Sequence, residues 1–202
     1  MSHSALSIDD QNILGEVCNI SMSAGATALS TLINLRVDIT TPKVKILTWD
    51  GLREIHGGDS VAVRARYKEG LSGGNFFIMK NRDAKIIADL MMGGTGMVQE
   101  PIELSEIDIS AVSEAMNQMV GSAATSLTII DNKKIDIDTP EVFLLDAGEK
   151  PAVRMVGFAS DRLVAMVDFR ITVGDIINSE LIQVMHMDTA LELVGALKVS
   201  VQ

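Results

Sequence analysis

The chain has 202 residues, of which 47% are hydrophobic and 22% are charged. This apolar content allows a sizeable buried core and argues against an intrinsically disordered chain. The formal net charge of −10 argues against nucleic-acid binding, because Lys and Arg must neutralise a phosphate backbone. An aromatic content of 3% also argues against a base-stacking platform. A basic partner surface suits this chain better than a nucleic acid.

The sequence predicts a soluble, cytoplasmic protein. Its N-terminus has no basic region followed by an apolar stretch, and no window approaches the roughly 20 apolar residues of a membrane helix. The single cysteine, Cys18, cannot form an internal disulfide and lies in an apolar helical run. We therefore interpret Cys18 as a core residue of a protein in a reducing compartment.

The first half of the sequence predicts a long helix, two short strands, a hairpin and a second helix. The long helix begins after Ser7 and carries carboxylates in its first turn, where they favour the positive helix end. Small residues around Gly25 let another helix approach closely. Thr41-Pro42 interrupts the pattern, and alternating apolar residues around a glycine-containing turn predict the hairpin. These elements are a helix at 8–35, strands at 37–40, 44–47, 61–67 and 75–79, and a helix at 83–92.

A glycine cluster follows the second predicted helix and contains Gly93, Gly94 and Gly96. It resembles a phosphate-cradling loop only superficially. Because it follows a helix instead of opening one, we interpret it as helix termination followed by a loop. Residues 99–103, with Pro101, are the predicted seam between the two halves of the chain.

The second half repeats this plan, so the chain is predicted to be one domain, 1–202, made of repeats at about 8–98 and 104–197. The fold class is α/β of the α+β type, with two pseudo-symmetric halves that each supply a long helix and several strands. We expect mostly antiparallel strands, because the connections are tight turns without crossover helices. The elements of the second half are helices at 105–130 and 188–197 and strands at 135–137, 142–144, 152–159, 162–173 and 178–186.

One polar signature occurs twice, 98 positions apart, and reads polar-x3-Glu-x2-Asn-x22-Pro in both copies. Further positions between and beyond the motif residues are also identical, so a duplicated unit is the simplest account. The spacing i, i+4, i+7 places the polar, Glu and Asn residues on one face of a helix. The first copy is Asn12, Glu16, Asn19 and Pro42, and the second copy is Ser110, Glu114, Asn117 and Pro140.

The Glu and the Asn of each stripe can reach the same external point, and they bring an anion and a neutral amide there. The pair lacks a nucleophile and a histidine, and a carboxamide cannot act as a general base. It can orient a water molecule for in-line attack on a phosphoryl group. The sequence thus permits a water-orienting device whose metal and phosphoryl group arrive on another protein.

The same stripes also fit purely structural roles. They can form a solvated helix face, a cap or a buried network. The residues alone favour neither these structural roles nor a functional role. Pro42 and Pro140 also have a purely structural role, because proline breaks the helical pattern before a strand.

At these motifs the chain resembles the CheC/CheX/FliY family of phosphatases, which act on the phosphorylated chemotaxis regulator CheY. The family pattern is Asp or Ser, x3, Glu, x2, Asn, with Pro about 22 residues later. The second copy matches it fully, whereas Asn12 departs from it at the first position of the first copy. Longer strings at 14–21, 86–94 and 111–127 look most like the central domain of FliY members.

The resemblance implies hydrolysis of the aspartyl phosphate of CheY, as part of the flagellar motor switch. By analogy, Glu16 and Glu114 pair with the active-site lysine of CheY, and their partner amides place the attacking water. The chain is expected to carry no cofactor or metal of its own, and Mg²⁺ belongs to CheY. The expected partners are phosphorylated CheY and the switch proteins FliM and FliG, at the cytoplasmic face of the flagellar basal body. FliY members usually also carry a FliN-like domain and a CheY-capturing peptide, for which 202 residues leave no room.

Two other function classes stay open from the sequence. The chain could be a non-catalytic assembly or docking module of the flagellar switch, in which case Glu16 and Glu114 should be buried against the opposite halves. Exposure of these residues counts against that reading. A small-molecule sensor at the pseudo-symmetric interface is the third reading, and no motif supports it.

Overall fold

A computed structural model describes residues 6–40, 42–48, 51–52, 59–131, 133–145 and 163–200. Within them, helices of at least 11 residues pack on an eight-stranded sheet. Among the described residues, no helix has the length and apolar content needed to traverse a bilayer. The elements are α1 (Ile8–Ile33), β1 (Val37–Ile39), β2 (Lys43–Thr48), β3 (Ser60–Glu69), β4 (Gly74–Lys80), α2 (Asn81–Met91), α3 (Glu106–Asp131), β5 (Asp136–Ile137), β6 (Glu141–Leu145), β7 (Leu163–Val173), β8 (Ile177–His186) and α4 (Met187–Ser200).

The α/β fold class predicted from the sequence is confirmed. Every predicted helix and strand that falls on described residues is present, with bounds shifted by a few residues. The strand expected at 152–159 lies outside the described residues. The division into repeats at 8–98 and 104–197 stays a prediction.

The sheet is antiparallel throughout its described pairings and crosses between the two halves of the chain. Its order is β1-β7-β8-β4-β3-β5, with β2 also pairing with β7 and β6 with β3. The outer strands of the first half therefore pair with a strand of the second half, and the reverse holds for β5 and β6. The two hairpins meet at the centre, where β4 pairs with β8.

The two faces of the sheet contribute to different apolar clusters. On β3, Val61 and Val63 join the four helices in the main core, whereas Ala62 belongs to a smaller cluster. This separation follows from the alternation of side chains along a strand. Helices α1 to α4 thus bury their apolar sides in one core, which leaves the polar stripes of α1 and α3 free to face outward.

The long helices α1 and α3 approach closely at Gly25, as the small residues of α1 predicted. A Cβ atom on Gly25 would lie 2.7 Å from the backbone oxygen and 2.8 Å from Cγ of Met119. Real Cβ atoms do not make such contacts with backbone, so glycine is required there. Cys18, on the same helix, is 1% exposed, and burial raises the pKa of its thiol to about 12. This confirms its assignment to the core.

Each long helix begins with the same capping box, one in each half of the chain. Ser7 and Asp10 exchange reciprocal hydrogen bonds at the start of α1, and Ser105 and Asp108 do so at α3. These pairs satisfy backbone N–H groups that a helix start leaves without partners.

A lysine from the opposite half binds the aspartate of each capping box. Lys198 of α4 contacts Asp10 at 2.5 Å, and Lys85 of α2 contacts Asp108 at 2.6 Å. Asp108 is 1% exposed. Burial raises the pKa of Asp108, but hydrogen bonds from Lys85 and Ser105 outweigh it and hold the pKa below its usual 3.8.

The glycine cluster ends helix α2, as predicted. The backbone N–H of Gly94 donates to the carbonyl oxygen of Asp89, and Gly93 has a φ of 84°. The N–H of Gly96 donates to the Asp89 carboxylate at 2.8 Å. These N–H groups therefore serve the helix end and its own aspartate.

Two glycine-to-alanine substitutions should change stability in opposite directions. Gly25→Ala should lower the free energy of unfolding by about 1–3 kcal/mol, because its Cβ meets the backbone of Met119. Gly121→Ala on α3 has no atom within 4 Å of its added Cβ and should raise that free energy by about 0.5–1 kcal/mol. Urea denaturation measures both, and equal effects would contradict close contact of the helices at Gly25.

Loss of Lys85 should destabilise the fold in a pH-dependent way. Lys85→Met leaves a buried carboxylate without its cation and should cost about 2 kcal/mol at pH 7. The folded-state pKa of Asp108 lies below the ordinary value of 3.8. Its contribution is therefore complete above that value and is lost as pH falls through the folded-state pKa. Urea denaturation should show the difference from wild type shrinking below about pH 4.

Lys198→Met is the matched control, because Lys198 makes the equivalent contact at an exposed position. Solvent screens this ion pair, so the substitution should change stability little. A Lys85→Met variant as stable as Lys198→Met at pH 7 would contradict a role for burial at Asp108.

Candidate functional site

The first polar stripe lies on the outer surface of α1. Asn12 and Glu16 are exposed and Asn19 is half-buried, while Leu14 and Val17 between them are fully buried. The apolar residues anchor the helix to the core and so fix the direction of the stripe. The predicted placement of three polar residues along one helix face is confirmed for this copy.

A cleft of about 420 Å³ lies beside this stripe, between α1 and the start of β2. A Cβ atom added to Gly15 would contact Val44 Cγ2 at 3.6 Å and Pro42 Cγ at 3.9 Å, so α1 and the start of β2 approach each other closely along the cleft. Pro42 thereby sits beside Glu16, although 25 intervening residues separate them in the sequence. The lining residues are Ile8, Gln11, Asn12, Gly15, Glu16, Pro42, Lys43 and Val44.

The second polar stripe has the same placement on α3. Ser110 and Glu114 are exposed and Asn117 is half-buried, so both copies present their residues in the same order of exposure. Pro140, in contrast, is buried, whereas Pro42 is half-buried. The prolines therefore present different surfaces at the two copies.

The glutamate of the second copy is held by a neighbour. Gln118 Nε2 donates a hydrogen bond of 2.7 Å to Glu114 Oε1. The position equivalent to Gln118 in the first copy is Ile20, which cannot donate and is 44% exposed. The Glu114 carboxylate is thus oriented by its own helix, whereas no described residue donates a hydrogen bond to the Glu16 carboxylate.

The structure brings part of the predicted set together and adds residues that sequence reasoning missed. Asn12, Glu16 and Pro42 line one cleft, while Asn19 lies one turn further along α1 and is not among the lining residues. The missed lining residues include Gln11 and Lys43. A signal for Lys43 existed, because it directly follows the motif proline and differs in charge from its counterpart in the second copy. The chemical roles of the eight motif residues stay predictions.

The exposure of both stripes bears on the alternative readings. Glu16 and Glu114 are exposed, so neither is buried against the opposite half. The half-buried amides of Asn19 and Asn117 remain accessible to a docking molecule. Each stripe therefore offers an anion and an amide to an external group, and this arrangement can orient water on a substrate carried by another molecule. Among the described residues, no cluster of three His, Cys, Asp or Glu side chains is arranged to hold a metal ion.

Comparison with known proteins gives related sequences over nearly the whole chain. The flagellar motor switch phosphatase FliY of Bacillus subtilis (strain 168) is 43% identical over 192 residues, which are 95% of this chain and 50% of that protein. The CheY-P phosphatase CheC of the same organism is 30% identical over 139 residues, which are 67% of this chain and 66% of that protein. The chain thus spans half the length of the FliY relative and about two thirds of the CheC relative.

The fold of this chain also matches a solved structure. The crystal structure of Thermotoga maritima FliY superposes with a TM-score of 0.88 at 34% identity and covers 97% of this chain and 99% of that chain. A model of the CheC-like family matches twice, at residues 10–46 and 107–144, and each match contains one complete polar motif. Because the fold, the sequence identity and the doubled match to the family model all agree, the chain belongs to the CheC-like family.

Proposed function

We propose that this chain hydrolyses the aspartyl phosphate of the chemotaxis response regulator CheY. The observation that carries the proposal is the pair of exposed Glu-x2-Asn stripes, on equivalent helices, with the amide half-buried in both. Two relatives named as phosphatases, one of them for CheY-P, support it.

The chemistry assigned to each stripe is the positioning of one water molecule. The water oxygen attacks phosphorus in line, the bond from phosphorus to the aspartyl oxygen breaks, and the products are inorganic phosphate and the aspartate carboxylate. The amide of Asn19 or Asn117 accepts a hydrogen bond from this water and holds it on the attack line. Partial burial suits this task, because a side chain that is held by its helix loses less freedom when it orders a water.

The glutamate of each stripe is assigned to docking. A carboxylate at position 16 or 114 can form an ion pair with the active-site lysine of CheY and so set the register of the two proteins. Mg²⁺ belongs to CheY in this proposal, and the chain supplies no metal ligand. The net charge of −10 would speed encounter with a basic surface on the partner.

The same proposal gives the chain a place in the flagellar motor switch. It would act in the cytoplasm, at the cytoplasmic face of the basal body, with FliM and FliG as further partners. Docking to these proteins without catalysis is the competing function. The exposure of both glutamates counts against the version in which the stripes join the two halves.

Removing both amides should abolish most of the activity. Asn19→Ala with Asn117→Ala should lower the turnover number for release of phosphate from phosphorylated CheY by about 10²–10³-fold, as loss of one positioned polar group typically does. Each single variant should retain the activity of the intact copy. Phosphate release under single-turnover conditions measures the effect.

Thr27→Ala with Thr125→Ala is the matched control, because these exposed threonines lie on the same helices at equivalent positions. Their hydroxyls donate to the carbonyl oxygens of the preceding turn, at 3.0 Å in both copies. This double variant should keep wild-type turnover. If the double asparagine variant also does so, the proposed function is wrong.

A further inference from the structure

The two copies of the motif carry opposite charges directly after the proline. Lys43 follows Pro42 at the start of β2, and Glu141 follows Pro140 at the start of β6. These positions are 98 apart, the same offset as the motif residues themselves. The two copies of the motif therefore differ by two charge units at the position after the proline.

The negative charge of Glu141 is balanced by two arginines of the same chain. Arg64 lies directly opposite Glu141 in the pairing of β3 with β6, and its Nη2 contacts Glu141 Oε2. Nη2 of Arg66 lies 3.4 Å from the other carboxylate oxygen. The guanidinium of Arg64 also stacks over the ring of Phe143 at 5.3 Å. Arg64 and Arg66 thus both contact Glu141, and the residue that follows the proline in this copy is an anion.

Lys43 has a different environment in the first copy. It is exposed, it lines the 420 Å³ cleft together with Glu16, and no described residue forms an ion pair with it. The residue opposite Lys43 in the pairing of β2 with β7 is Asp168, and no ion pair joins the two. The cleft therefore offers a carboxylate and an unpaired ammonium to the same ligand.

We propose that Lys43 is a substrate-binding residue of the first site, where its ammonium contacts the anionic oxygens of the phosphoryl group. The inference rests on the proposed function, because an aspartyl phosphate is the anion concerned. A phosphoryl group recruits a cation through charge-assisted hydrogen bonds, and lysine supplies three donors as a point charge. With Glu16 facing a basic group of the partner, Lys43 completes a cleft of two opposite charges that admits the substrate in one orientation.

The first site should therefore depend on Lys43, and the second site should not. Asn117→Ala should inactivate the second site, so that only the first site remains active. Asn19→Ala should likewise leave only the second site active. In the first background, Lys43→Met should lower kcat/KM for phosphorylated CheY about ten-fold at low ionic strength, the effect of losing one charge-assisted hydrogen bond. Lys43→Glu should lower it further, and 0.5 M NaCl should reduce both differences because salt screens exposed charges.

Lys45→Glu is the matched control. Lys45 is exposed on the same strand, two residues along and on the same face, but it does not line the cleft. Lys45→Glu changes the net charge by the same amount as Lys43→Glu. Comparing the two variants therefore cancels any general effect of net charge on the rate of encounter. In the background with only the second site, both variants should behave alike. Melting temperatures of both variants equal to that of the parent background would show that neither acts through folding.

Three results separate this inference from the proposed function. If the wild-type chain releases no phosphate from CheY, the proposed function itself fails. If the wild-type chain is active but Lys43→Glu and Lys45→Glu are equal in the first-site background, only the inference about Lys43 is overturned. An active wild type whose first-site background has no turnover also overturns it, because a substrate-binding residue requires a working site.

Discussion

Each half of this molecule depends on the other to complete its sheet. β1 and β2 pair with β7, and β5 and β6 pair with β3, so the outer strands of either repeat would have no ladder partner in the absence of the other. The helix starts obey the same rule, because the aspartate of each capping box binds a lysine from the opposite half. The orientation of either polar stripe is therefore a property of the whole chain, since α1 and α3 are both anchored by groups of the opposite repeat.

Polar contacts outside the motif also recur at an offset of 98 positions. The Ser30 hydroxyl accepts from the N–H of Val37 in the first half, and Thr128 does the same for Ile135 in the second. These bonds join the end of each long helix to the strand region that follows it. These hydrogen bonds between helix and strand region are thus alike in the two halves, whereas the two copies of the motif differ in a hydrogen bond to the glutamate and in the charge after the proline.

Local periodicity made most elements predictable. The helix at 8–35, the hairpin at 61–79 and the outward face of each stripe follow from spacings within a few turns or residues. The crossed pairings were not predictable, because the register of Lys43 with Asp168 joins residues that no local pattern connects. The cleft was missed for the same reason. It depends on the close approach of α1 at Gly15 to β2 at Val44, and its cation is supplied by a strand that the motif does not include.

The carboxylate of Asp89 has a consequence for the glycine loop after α2. It accepts from the N–H of Gly96, and any Cβ at Gly94 would collide with it at 2.2–2.4 Å. An anion covalently tethered beside these amides acts at a high effective concentration. A free nucleotide phosphate would have to displace it with no comparable advantage. The Asp89 carboxylate thus competes with any phosphate for the amides of this loop. The loop therefore resembles a phosphate-binding loop only in its glycine content.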